Sequence, residues 1–329
     1  MGYVVRSAYF QAELLQSRVP VEKVTDRDEL SQADRDAFAR IADIKTFGRG
    51  IGLSATDNYE TFADNWDRTI WNLTACPDLS FQPVTWTFPI VGRVPYLGFF
   101  RRSDADKWAQ RLEDDGNEVF LRTAGAYSTL GWFRDPILPG MLKWNKNQLA
   151  NTVLHELAHA TLWIKGSVKF NESFASFVGD KAAFAYLADR YGTESIEYQT
   201  AERTQSDIHT WRTLLKDLYQ ELDELYRSPT LSDDEKRTQR AALYGSIAER
   251  VSAASFTDPA RFLAAAKRGP WNNARLMQYR TYNTKTELFE AVYAAEGEDL
   301  LRFIDAIDRI TKGGGDPYKA LRNATKAEE

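Results

Sequence analysis

The residues best suited to catalysis are two histidines and a glutamate in the run His155-Glu156-Leu157-Ala158-His159. On a helix, residues four apart lie on nearly the same face about 6 Å apart, so both imidazoles can reach one Zn²⁺ at roughly 2.0–2.1 Å. Glu156 is offset by about 100° and is free to act as a general base. This HExxH pattern predicts metal-assisted hydrolysis of an amide. A core helix with two satisfied histidines is the alternative, but it fits poorly because unpartnered buried imidazoles and carboxylates are costly.

Glu172 is the candidate third ligand, which predicts one Zn²⁺ per chain. A three-histidine site of the extended motif would need a glycine and a histidine where this chain has Leu162 and Lys165, so that class is excluded. We expect Asn171 to cap a new helix, which places Glu172 in a first turn where the helix dipole favours the ionised carboxylate. An ordinary capping-box acid is the alternative for Glu172. Ser176 and Asp180 are candidates to orient a ligand.

The motif helix is predicted over about 147–164 and is apolar almost all round, which indicates burial on several sides. Gly166 is a candidate stop. Upstream, β-branched and aromatic runs bounded by Pro and Gly predict a small sheet. The predicted strands cover 69–73, 84–88, 96–100 and 118–123, and the predicted helices cover 8–17, 26–44 and 103–115, with Ser103 as an N-cap.

Downstream of Glu172 the sequence predicts helices only. Apolar residues recur at 3-4-3-4-3 spacing, typical of a packed helical hairpin: Ile208, Trp211, Leu215, Leu218, Leu222 and Leu225. Ser232 and Glu235 form a capping box that opens the return helix. The glycines at 313–315 break the last helix and lead into a polar tail that we expect to be mobile. We expect an α+β chain with an N-terminal part at 1–145, a helical part at 146–312 and a tail at 313–329.

Composition excludes several partners. The net charge of −5 and the absence of a Lys/Arg-rich block disfavour nucleic acid and anionic membranes. Cys76 is the only cysteine, so neither an intrachain disulfide nor a thiolate metal cluster is possible. No apolar run approaches the length of a membrane span, so we expect the chain to be soluble as given. The oligomeric state is left open.

A family resemblance rests on the run 164–175 after the HExxH motif, and on 86–89, 126–133 and 271–274. Over roughly 11–282 the chain resembles the bacterial putative aminopeptidase family of gluzincin type. The resemblance implies a zincin-like fold, a peptide substrate, and His155, His159 and Glu172 as zinc ligands. It also implies a native form that is exported, periplasmic or membrane-anchored.

Hydrolysis also needs a donor to the developing oxyanion. Tyr282 is our candidate, ahead of Tyr279 and Tyr127, with aromatic packing as the alternative; His209 is expected on a solvated helix face. The segment formed by Gly125, Ala126, Tyr127 and Ser128 is a candidate edge strand for binding a peptide backbone, with ordinary sheet packing as the alternative. Asp135 or a distant acid is left as the partner of a substrate ammonium group.

The sequence therefore predicts a zinc-dependent peptidase in which Glu156 is the general base. Aminopeptidase action is implied by the resemblance, and endopeptidase action stays open. A zinc-bearing scaffold or peptide-binding protein without catalysis is the main alternative, and a helical core without metal is a third.

Overall fold

The structure is a computed structural model that describes residues 2–64, 66, 69–88, 92–124, 134–281 and 286–326. The chain forms two compact units, one made of 1–68, 125–198 and 282–329 and the other of 69–124 and 199–281. The helices are α1 (Gly2–Gln16), α2 (Val21–Thr25), α3 (Gln32–Gly50), α4 (Arg102–Asp114), α5 (Lys146–Thr161), α6 (Val168–Tyr191), α7 (Ile196–Arg227), α8 (Asp233–Gly245), α9 (Ile247–Ala253), α10 (Pro259–Lys267), α11 (Asn273–Thr281), α12 (Thr286–Ala295), α13 (Leu300–Thr311) and α14 (Pro317–Lys326). The strands are β1 (Arg18–Pro20), β2 (Thr61–Ala63), β3 (Ile70–Pro77), β4 (Trp86–Phe88), β5 (Gly92–Val94), β6 (Leu97–Phe99) and β7 (Asn117–Ala124).

The α+β prediction is confirmed, with small antiparallel sheets before residue 125 and a mainly helical part after it. Among the described residues, none of the helices combines the length and the apolar character that crossing a bilayer requires. The units are clusters of contacts built from separate chain segments, so the expected division at 145 and 312 stays a prediction.

In the first unit, α5 and α6 pack against each other at very short range. A Cβ added at Gly179 on α6 would lie 3.0 Å from the Asn151 carbonyl oxygen and 3.1 Å from His155 Cβ on α5. Glycine therefore permits an approach that a larger side chain would prevent. One residue along, Asn151 Nδ2 donates to Asp180 Oδ1 at 2.6 Å, which ties the same two helices together. Helix α3 covers α5 from another side, where Gly48 faces Leu157.

In the second unit, β3 is the central strand of a three-stranded antiparallel sheet in the order β6-β3-β7. Leu73 is paired with Leu97 on one side and with Leu121 on the other. Strands β4 and β5 form a separate two-stranded sheet, and in the first unit β1 pairs with β2. Among the residues that the structure describes, the expected single small sheet is therefore three sheets, because the sequence pattern identifies strands but not their partners.

Two predicted helix starts are corrected. The helix expected at 26 begins at Gln32, where the Ser31 side chain accepts the Asp34 N–H, and 21–25 forms the separate helix α2. Helix α4 begins at Arg102, so Ser103 lies inside the first turn and is not the N-cap. In the second case a side chain that can cap a helix does not do so, because an N-cap residue must itself have a non-helical backbone, and here that residue is Arg101.

The predicted helical hairpin is confirmed within the second unit. The Ser232 side chain accepts the Glu235 N–H, and the Glu235 carboxylate accepts the Ser232 N–H, which is the expected capping box at the start of α8. The predicted seam of α7 packs against Tyr244, Ile247 and Val251 in one buried cluster. Strong period-3.6 patterning and a local cap were sufficient to predict this element.

Asn273, at the start of α11, is fully buried and bonded on every side in the second unit. Its Oδ1 accepts from the hydroxyls of Tyr226 at 2.7 Å and Tyr244 at 2.6 Å. Its Nδ2 donates to the carbonyls of Pro77 at 3.1 Å and Asp78 at 2.9 Å. The family-like stretch at 271–274 thus has a structural role, since this one amide joins α7, α8 and the end of β3.

We expect Asn273→Ala to lower the free energy of unfolding by about 3–5 kcal/mol, because it leaves two buried hydroxyls and the bonded carbonyls without partners. Urea unfolding followed by circular dichroism measures this. The control is Asn323→Ala on an exposed position of α14, where the change should stay within about 0.5 kcal/mol. Equal effects of the two substitutions would contradict the structural role of Asn273.

The expected mobile tail is corrected at 317–326, which forms α14. Leu321 is fully buried, and the Tyr318 ring packs at 5.2 Å from the ring of Phe170 on α6. The Tyr318 hydroxyl also lies 3.1 Å from Ser173 Oγ and 3.2 Å from the Lys169 carbonyl oxygen. The C-terminal helix therefore supports the N-terminal half of α6.

Candidate metal centre

Three predicted ligands converge in the first unit. His155 and His159 lie on α5 and Glu172 lies on α6, with ligand atoms of all three within 4.8 Å of one another. Glu172 Oε2 is 3.7 Å from Nε2 of each histidine. The two imidazole rings lie 4.7 Å apart and nearly perpendicular, at 87°. The group can hold a metal ion.

The donor atoms and their spacing fit a divalent ion that prefers nitrogen and oxygen ligands. Two atoms that each lie about 2.0–2.1 Å from a tetrahedral ion are about 3.4 Å apart, which is close to the observed 3.7 Å. The side chains of His155, His159 and Glu172 are 18%, 4% and 15% exposed. The three side chains are therefore mostly covered by protein, and parts of His155 and Glu172 remain open to solvent.

Glu172 does not lie in a first helical turn capped by Asn171, as predicted. Helix α6 begins at Val168, so Glu172 is its fifth residue and lies beyond the first turn, where the dipole acts most strongly. Asn171 is not an N-cap. It is fully buried, and its side-chain amide accepts the Ile164 N–H at 3.0 Å and donates to the Ile164 carbonyl at 2.9 Å. The amide thereby fixes the connection between α5 and α6. This connection begins earlier than predicted, because α5 ends at Thr161 and not at Gly166.

The imidazoles determine the charge of Glu172. Burial acts to raise the pKa of this carboxyl group, but the adjacent His155 and His159 side chains outweigh burial and lower the pKa to about 2. Burial acts to lower the pKa of His155, and the Glu172 carboxylate and neighbouring acids outweigh it and raise that pKa. Glu172 is therefore ionised at neutral pH, which is the form that binds a metal ion.

His159 has a second aromatic neighbour. Its ring lies 5.5 Å from the ring of Trp163 at an angle of 66°, and Trp163 is 36% exposed. The Nδ1 atom of His159 is buried and has no hydrogen-bond partner among the residues that the structure describes. The described neighbours of the His159 ring are therefore the rings of His155 and Trp163 and, on the Nε2 side, the Glu172 carboxylate.

Tyr59, which the sequence analysis did not single out, has an unusual backbone conformation. It is buried, and its φ of 64° lies in the left-handed region, which is uncommon for a bulky residue. The Tyr59 N–H donates to the Asp135 carbonyl at 2.8 Å, and the Asn58 side chain accepts the Asp135 N–H at 3.0 Å. Burial raises the pKa of the Tyr59 phenol, and the charges of Glu156 and Asp135 raise it further. The phenol is therefore neutral at physiological pH.

Comparison with known families identifies the chain. The family described as "Putative aminopeptidase" matches residues 2–319. The chain belongs to this family. No curated protein and no solved structure matched the chain. Membership places the chain among peptidase hydrolases, whose substrates are peptides.

The other predicted site residues fall in different places. Tyr282 and the segment Gly125, Ala126, Tyr127 and Ser128 lie outside the described residues. Tyr279 lies on α11 in the second unit, with its ring 6.1 Å from the rings of Trp211 and Trp271, which favours the packing alternative.

Two further candidates are described. His209 is exposed on α7 in the second unit, as predicted. Asp135 is only 2% exposed and is held by its backbone to Asn58 and Tyr59. A carboxylate so deeply buried is a poor first point of contact for a substrate ammonium group, unless the surrounding side chains move.

Proposed function

We propose that this chain is a zinc-dependent peptidase, and the family description favours action at the amino end of peptides. The observation that carries the proposal is the convergence of His155, His159 and Glu172 within 4.8 Å, with Glu156 on the same helix as the two histidines. Two imidazoles and one carboxylate are the protein ligands of many catalytic zinc sites, which leave one position open. The absence of a cysteine from this group makes a closed structural zinc site a poorer explanation.

His155, His159 and Glu172 would hold the ion. When bound, zinc supplies a Lewis acid that polarises the scissile carbonyl. The Glu156 carboxylate accepts a hydrogen bond from the attacking water, removes its proton as the carbon–oxygen bond forms, and then delivers a proton to the departing amine. The products are a carboxylic acid and an amine, so atoms and charge balance.

Three parts of the proposal rest on the sequence alone. Tyr282 remains the proposed donor to the oxyanion, and the segment Gly125, Ala126, Tyr127 and Ser128 remains the proposed binding strand for the peptide backbone. Export to the periplasm or attachment to a membrane is proposed from the family resemblance.

Removing the metal should abolish hydrolysis. We expect dialysis against a chelator to reduce cleavage of a mixed peptide library to less than about 1% of the initial rate, and Zn²⁺ at one equivalent per chain to restore it. Elemental analysis of the same samples counts the zinc. Mg²⁺ is the control, because it prefers oxygen ligands and should not restore cleavage.

The outcomes separate the alternatives. Cleavage that continues after complete metal removal would exclude the metallopeptidase. Stoichiometric zinc with no cleavage of any library peptide would favour the zinc-bearing scaffold, and no zinc after reconstitution would favour a helical core without metal.

A further inference from the structure

Trp163 is both exposed to solvent and in contact with a candidate metal ligand. It is 36% exposed, and its ring lies 5.5 Å from the ring of a candidate metal ligand, His159. The described part of the chain has six exposed large hydrophobic side chains, and of these only Trp163 has its ring against a candidate ligand. An exposed apolar surface at a functional centre is a common feature of binding sites.

The position of Trp163 is fixed from within the fold. On one side its ring meets His159 on α5. On the other side, the next residue, Ile164, has both its N–H and its carbonyl bonded to the buried Asn171 amide. Asn171 directly precedes the ligand Glu172, so the same short stretch of α6 positions a metal ligand and the loop that carries Trp163. Because the Trp163 ring has a neighbour and the backbone that follows it is hydrogen-bonded, this side chain loses little further conformational entropy when a ligand covers it.

The chemistry of the exposed face limits what it can bind. An indole ring presents a flat apolar surface that favours aliphatic and aromatic side chains. About 80 Å² of the residue remains uncovered, if a tryptophan offers about 220 Å² in all. Covering that area with an apolar side chain is expected to favour binding by about 30-fold over a glycine at the same position.

We propose that Trp163 forms one wall of the subsite that receives the side chain next to the scissile bond, so that the enzyme prefers peptides with an apolar or aromatic residue there. This inference rests on the proposed peptidase function. It makes Trp163 a specificity-determining residue, which contacts the substrate but takes no part in proton transfer.

The test measures binding and not turnover. Zinc-loaded Glu156→Gln protein is titrated by calorimetry with phenylalanine hydroxamate and with glycine hydroxamate, which differ only by the benzyl group. We expect the phenylalanine probe to bind about 30-fold more tightly, and this ratio to fall to about 3 or less when Trp163→Ala is added. Trp163→Phe should keep most of the preference. Tyr9→Ala, at another exposed aromatic residue on α1, is the matched control and should leave the ratio unchanged.

Each alternative predicts a different result. If the ratio is the same with and without Trp163→Ala, the subsite assignment is wrong while the peptidase proposal stands. If Trp163→Ala lowers the zinc content and weakens both probes by the same factor, Trp163 only positions His159, and the inference is overturned. If neither probe binds any of the proteins, the metal centre itself fails, and the inference fails with it.

Discussion

Glu156→Gln should lower the rate of peptide hydrolysis by about 10²–10⁴-fold while the protein keeps one zinc ion per chain. Glutamine has the size of glutamate but cannot remove a proton from water. Glu156 is not among the three residues whose ligand atoms converge, so the metal should stay. Initial rates on the best peptide from the library digest, with elemental analysis of the same preparation, measure both quantities.

The same substitution at another carboxylate of the first unit provides the control. Glu290 on α12 pairs with Lys181 at 3.0 Å and is about half exposed. Glu290→Gln should leave the rate within about twofold of the parent, because it removes only a surface ion pair. If Glu156→Gln cleaved the peptide as fast as Glu290→Gln, Glu156 would not be the general base.

The convergence of the three candidate ligands could be predicted because the relevant spacing is local. Two histidines four apart on a helix must share a face. Glu172 is only 13 residues beyond His159, and so short a connection keeps α6 close to α5. The predicted capping role of Asn171, which was to place Glu172 in a first helical turn, is nevertheless wrong. Sequence pattern suggested that Asn171 caps a helix, whereas its amide bonds both backbone groups of Ile164. An Asn suits either role, and only the path of the chain decides between them.

The helical hairpin could be predicted from local sequence, whereas the pairing of the strands could not. The seam of α7 repeats over several turns, and the capping box marks the next helix locally, so both were predictable. Strand β3 instead pairs with β7, which begins 40 residues after β3 ends, and register over that separation depends on the whole fold. For helix α14 the sequence predicted less structure than is present. Its polar composition predicted a tail, although Tyr318 and Leu321, three residues apart, share the inward face of α14.

Trp163 and Tyr59 could not have been identified from the sequence. The importance of Trp163 lies in its partial exposure beside His159, and exposure at a loop residue is a tertiary property. Tyr59 is distinguished by a left-handed backbone that contacts with Asp135 maintain, and no residue type near it signals that conformation.

Glu172→Gln tests the metal centre itself. The substitution replaces the carboxylate that lies 3.7 Å from both imidazoles, our proposed anionic ligand, with a neutral amide, which binds divalent zinc weakly. We expect zinc affinity to fall by more than about 100-fold, which exceeds the 10- to 100-fold typical of residues that only orient a ligand. Zinc added at 100 times its dissociation constant should stabilise the parent by about 2.7 kcal/mol and the variant by almost nothing.

Competition with a chromophoric chelator measures the affinity, and the shift in melting temperature on zinc addition measures the coupling to folding. Glu197→Gln is the matched control, since Glu197 is also partly buried and pairs with Lys146 at 2.6 Å, but lies outside the group of ligands. That variant should lose some stability without zinc and keep the full zinc-induced shift. Two protein ligands alone can retain zinc weakly, so the decisive quantity is the difference between these variants. Parent-like zinc affinity in Glu172→Gln would mean that the convergence of α5 and α6 does not build the metal site, and the hydrolase proposal would lose its main support.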